Sequence, residues 1–150
     1  MRPIALLSLL ALVGCGQSPE TCVNNGLPIS TEAGVLDSCD DYGQQTHDLR
    51  LLFVEALGQV SLAGWTVRVA VNDAPYADGS GGYWGWTDWN TSTILVSQLH
   101  IHQVFAHELF HVQLGPPSAS HAESQWCSEL SPWEIQQGLE DERAYLRCTQ

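Results

Sequence analysis

The chain has 150 residues, with 17 Asp and Glu against 5 Lys and Arg and a formal net charge of −12 at pH 7. Such a surface repels phosphate backbones, which excludes an ordinary nucleic-acid partner, and it binds anionic lipid headgroups poorly. The length suits one domain around one core.

The chain opens MRPIALLSLLALVGCG, with Arg2 followed by a mainly apolar run from Ile4 to Val13. That run is too short to span a bilayer and reads as a secretory signal. It closes on Leu12-Val13-Gly14-Cys15, which resembles a bacterial lipobox. The resemblance implies that residues 1–14 are a signal peptide and that Cys15 is lipidated as the first mature residue. The chain would then be held in the cell envelope by its acyl chains. Gly16, where an aspartate would favour the inner membrane, leans toward the outer one. An ordinary signal cut near Gly14 is the alternative. Residues 15–31 are polar and turn-rich and read as a tether, leaving residues 32–150 as the folded, monomeric domain.

Apart from Cys15, the chain has Cys22, Cys39, Cys127 and Cys148. An even number in an exported chain suggests two disulfides, and three pairings are possible. Cys22–Cys39 would pin the N-terminal arm, and Cys127–Cys148 would tie the last helix to the loop before it, so this pairing is favoured. A four-cysteine metal site lacks the usual C-x2-C spacing.

The first helix is expected to start from a cap at Asp40 or Asp41 and run to about Leu57. Its apolar face would be Tyr42, Leu49, Leu52, Phe53, Ala56 and Val60, with His47 exposed. WTVRVAV, residues 65–71, alternates apolar and polar positions and reads as a strand. After a Gly-, Asp- and Pro-rich loop, GYWGWTD (82–88) and TSTILVS (91–97) read as two more strands, with a hairpin turn at Asp88-Trp89-Asn90. Trp84, Trp86 and Trp89 are expected mainly in the sheet core and rim, with a wall for a stacked ligand as the second reading. Gly81, Gly82 and Gly85 would let a neighbouring chain come close. A helix from about Gln98 to Leu114 is ended by Gly115, Pro116 and Pro117. The last helix is expected to start at a capping box, with Ser131 as the cap, Pro132 first in the helix and Glu134 three after the cap. The order of elements gives an α+β fold, a small mixed sheet packed against helices.

The chemistry lies in HELFH, residues 107–111. Histidines four apart on a helix share a face, so His107 and His111 can hold one metal ion. Glu108 stands beside that ion and not on it, placed to take a proton from water. His100 and His102 lie too far along the helix to join them and read as helix-start or supporting residues. Asp88, Glu123 and Asp141 could each brace a ligand imidazole.

HELFH, preceded by a strand, resembles the active helix of zincin metalloproteases. The resemblance implies one zinc ion per chain, His107 and His111 as ligands, and Glu108 as the base that activates a zinc-bound water. It also implies that one of the two strands before the helix lies along the substrate cleft and pairs with an extended peptide. The metzincin pattern requires a glycine and a ligand where this chain has Leu114 and Pro117. HAESQW, residues 121–126, partly resembles the third-ligand region of SprT-like metalloproteases and implies His121 as the third zinc ligand. The alternatives are Glu123, or Glu129, Glu134, Glu140 or Glu142 in the gluzincin manner. Tyr83, Arg143 and Tyr145 are candidates for stabilising an oxyanion. The expected function is a zinc metallopeptidase acting on a protein or peptide. A zinc amide hydrolase of cell-wall material and a catalytically inactive binding module are the alternatives.

Overall fold

The computed structural model describes residues 17–72, 74–75, 82–116 and 126–137. The leader, Cys15, His121, Glu123, Glu140, Asp141, Glu142, Arg143, Tyr145 and Cys148 lie outside the described residues. The strands are β1 (Thr21–Asn24), β2 (Leu27–Thr31), β3 (Thr66–Ala70), β4 (Ala74–Pro75), β5 (Gly82–Tyr83), β6 (Gly85–Asp88) and β7 (Thr93–Ser97). The helices are α1 (Cys39–Leu57), α2 (Ile101–Leu114) and α3 (Ser131–Gln137), the last entered directly from a π-helical turn, Trp126–Leu130. The fold is α+β, with a five-stranded mixed sheet in the order β1-β2-β3-β7-β6 packed against the helices.

Strand pairing aligns residues into rows across this sheet. Ile29, Val67, Ile94 and Thr87 form one row, and Thr31, Val69, Val96 and Gly85 another. Both rows face the helices, and Ile29, Val67, Val69, Ile94 and Val96 are at most 1% exposed. The row between them, Ser30, Arg68, Leu95 and Trp86, points to the opposite face by strand alternation. Arg68 reaches Glu32 there at 2.7 Å, and Trp86 is 48% exposed. The two inward rows start at Ile29 and Thr31 in β2, run through apolar core in β3 and β7, and end on β6 at a hydroxyl and a bare Cα.

The segment read as a tether joins the sheet from Thr21 onward. Its turn has φ of 48° at Asn25 and 78° at Gly26, the two positive values that a type I′ hairpin turn requires. The Cys22–Cys39 disulfide is present and ties β1 to the first residue of α1. Cys127 is also disulfide-bonded, and its expected partner, Cys148, lies outside the described residues.

α1 ends where its pattern placed it, but Ser38 is the cap. The Ser38 side chain accepts from the Asp41 backbone N–H, and the Asp41 side chain reaches back to the Ser38 N–H, completing a capping box. Leu52 and Ala56, expected on the apolar face, are exposed, while Gly43 and Thr46 are buried. Gly43 is needed for contact: a Cβ there would stand 2.6 Å from the Asn24 Cβ, so the helix lies directly on β1. His47 is half-buried on α1. Phe53 is fully buried between α2 and α3, edge-on to Phe110 at 6.4 Å and to Trp133 at 6.0 Å. Removing such a side chain from water contributes roughly 1.5–3 kcal/mol. α2 stops at Gly115, whose φ of 84° an L side chain resists.

Candidate metal centre

α2 carries the site on its buried face. Val104, Phe105, Leu109 and Phe110 anchor the helix in the core, and the same helical spacing turns His107, Glu108 and His111 inward. The three are 9%, 4% and 7% exposed. One donor atom from each lies within 4.8 Å of the others, and the two imidazole centroids are 5.1 Å apart. Two buried imidazole nitrogens and a carboxylate oxygen converging in this way suit a borderline divalent ion such as zinc. Calcium and magnesium call for oxygen donors throughout. A cluster this polar inside an apolar core is costly without such a ligand.

Glu108 fits beneath β6. The Thr87 hydroxyl lies 2.6 Å from Glu108 Oε2 and 3.2 Å from the Glu108 backbone carbonyl. With Glu108 ionised, that hydroxyl donates to Oε2. With Glu108 protonated, it can accept the carboxyl proton and donate to the carbonyl instead. Both protonation states of the carboxyl thus have a partner. Beside the other oxygen is Gly85: a Cβ there would come within 2.7 Å of Oε1 and 2.9 Å of Cγ. Only glycine leaves Glu108 its position. Burial pushes the Glu108 carboxyl above its ordinary value, and the Glu134 charge adds to the rise. The His107 charge and the Thr87 hydrogen bond partly oppose it.

The supporting residues differ from those the sequence named. Glu134, expected as a capping residue and as an alternative third zinc ligand, lies against His107. The chain enters α3 from the π-helical turn, and the Glu134 carboxylate is 2% exposed, with Oε1 3.7 Å from His107 Nδ1. Glu129 is exposed on that turn. Asp88 does not brace a ligand. It accepts from the Thr91 hydroxyl and the Asn90 backbone N–H, both at 2.9 Å, and these bonds hold its carboxyl below the usual range. His100 precedes the first residue of α2 and stacks on Trp84 at 4.1 Å, while His102 is exposed. The three tryptophans part company. Trp84 stacks on His100, Trp86 lies against Tyr83 at 5.1 Å, and Trp89 stands edge-on to His111 at 6.0 Å. Thr87 escaped the sequence reading, although the inward-outward-inward alternation of Gly85, Trp86 and Thr87 carries the signal.

β6 is the last strand of the sheet, and its outer edge pairs with no described strand. β7, the other candidate for the cleft edge, is interior, flanked by β3 and β6. Against protein-family models, curated proteins and solved structures, the chain finds no match.

Proposed function

We propose that the chain is a zinc-dependent metallopeptidase, with His107 and His111 as ligands, Glu108 as the general base and His121 completing the metal site. The observation that carries the reading is Glu108. A purely structural metal site has no need of a buried carboxylate held by a hydroxyl on the edge strand, whereas a hydrolase does. When bound, zinc supplies a Lewis acid that brings the pKa of water toward neutrality and polarises a carbonyl. Glu108, held against the Thr87 hydroxyl, accepts the proton of the attacking water and returns it to the leaving amine. Thr87 holds the carboxyl in place through both transfers. The outer edge of β6, running over the same carboxyl, offers main-chain donors and acceptors to an extended peptide. Trp86, exposed on the opposite face of that strand with the half-buried Tyr83 of β5 against it, is turned away from the metal cluster.

The test takes the full chain loaded with zinc and a broad peptide library. Glu108→Gln should keep about one zinc per chain and lose on the order of 10²–10⁴-fold in turnover. His111→Ala and His121→Ala should lose zinc affinity as well. Wild type that binds zinc but neither cleaves any peptide nor binds a hydroxamate has a closed structural site, and the proposal fails.

A further inference from the structure

Glu134 exchanges no proton in the chemistry derived above, yet it is among the most buried charged groups described. What puts it there is local. Leu130 is fully buried at the end of the π-helical turn, and Trp133 packs edge-on against Phe53. These two anchors orient the start of α3, and Glu134, four residues after Leu130, is carried into the core with them. Pro132 and Gln136 stay exposed. A carboxylate desolvated to that degree is stable only beside a donor or a cation. Its Oε1 faces His107 Nδ1 at 3.7 Å, a few tenths of an ångström beyond a hydrogen bond. The mutually close donors are His107, Glu108 and His111, and Glu134 is outside that group.

We infer that Glu134 is a positioning residue for the metal centre: its carboxylate takes the Nδ1–H of His107, fixing the tautomer and turning Nε2 toward the ion. This rests on the metal-centre reading and adds a residue to it from a third element. An imidazole bound to a metal through one nitrogen carries a proton on the other, and an anionic acceptor there makes the ring a better ligand and stops it from rotating. His107 sits on α2 and Glu134 on α3, so the contact also couples the docking of α3 to the affinity of a site on another helix.

The full chain, metal-free, would be titrated with zinc against a competing chelator as wild type, Glu134→Gln, Glu134→Ala and His111→Ala. Each would also be saturated with cobalt for its visible ligand-field spectrum and melted without metal. Glu134→Ala should bind zinc about 10–100-fold more weakly than wild type. Glu134→Gln, which keeps an acceptor oxygen but no charge, should fall between the two. Both should give the wild-type cobalt spectrum at saturation, because the ligand set is unchanged, whereas His111→Ala should not. A change of band positions in either Glu134 variant would make Glu134 a ligand itself and overturn the inference. Affinity equal to wild type in Glu134→Ala would overturn it too. If Glu134→Ala melts far below wild type without metal, the near-isosteric Glu134→Gln decides: weaker zinc binding at an unchanged melting temperature supports the inference, and wild-type affinity overturns it. Wild type that takes up no zinc defeats the metal-centre reading itself, an outcome distinct from either failure of Glu134.

Discussion

Thr87 holds the most informative single contact in the protein, because one hydroxyl touches both the carboxylate and the backbone carbonyl of Glu108. Thr87→Val keeps the shape and the strand preference but removes that hydroxyl. A hydrogen bond to a charged group is worth roughly 1.5–3 kcal/mol, so turnover should drop about 10–100-fold, with zinc affinity nearly unchanged. Thr87→Ser should restore most of the rate. Steady-state kinetics on a peptide that the wild type cleaves would show this, and equal rates for Val and wild type would remove Thr87 from the machinery. At this scale the sequence was legible wherever contacts are local. His107, Glu108 and His111 sit within one helical turn, so spacing alone brings them together. Glu134 was one of five interchangeable glutamates in the sequence, because nothing short-range tells which residue of a helix that starts 17 positions after the end of α2 docks against His107.

Among the elements, the N-terminal hairpin shows a signal present but outweighed. Asn25-Gly26 marks a type I′ turn, yet the polar flanks suggested a tether. The strands form because β2 pairs in parallel with β3, a long-range contact that local composition does not encode. For α1 the end was legible from the apolar pattern, while the cap was misplaced because Ser38, Asp40 and Asp41 are all competent caps and only geometry selects Ser38. The Cys22–Cys39 bridge spans 17 positions and joins the outermost strand to that helix. Closing a loop of this size should stabilise the fold by about 3 kcal/mol. The double variant Cys22→Ser, Cys39→Ser should therefore unfold at lower denaturant by that amount. A stability within about 0.5 kcal/mol of wild type, in chemical denaturation under oxidising conditions, would mean that the bridge only follows the fold.

For the whole molecule, the buried carboxyl of Glu108 carries a thermodynamic cost. Burial raises the Glu108 carboxyl above its ordinary value. In metal-free protein the folded state then keeps a proton that the unfolded chain has already released. Stability should fall as pH rises from the unfolded value through the raised folded one, and the loss is complete above the latter. Glu108→Gln cannot ionise and can still accept from Thr87. Without metal it should melt higher than wild type at pH 7, and the gap should close as the pH is lowered to about 4. Melting curves in chelator across that range would check the sign; a gap that does not narrow toward acid would show that the charge is not its source. The α+β class followed from the order of helices and strands, but the cooperation between α2, α3 and β6 at one point did not.

The row alignment of the sheet has one more consequence. Gly85 and Thr87 face Glu108 only because β6 pairs with β7 in this register, Trp86 being opposite Leu95. Adding or deleting one residue between Asp88 and Thr93 reverses the parity of the strand. The indole of Trp86 would then press on the carboxyl and the hydroxyl would turn to solvent, with every chemical group still encoded. The turn from Asn90 to Ser92, which supplies no donor to the metal cluster, is thus a place where length matters more than composition, and natural or engineered variation there should be in substitutions, not in indels.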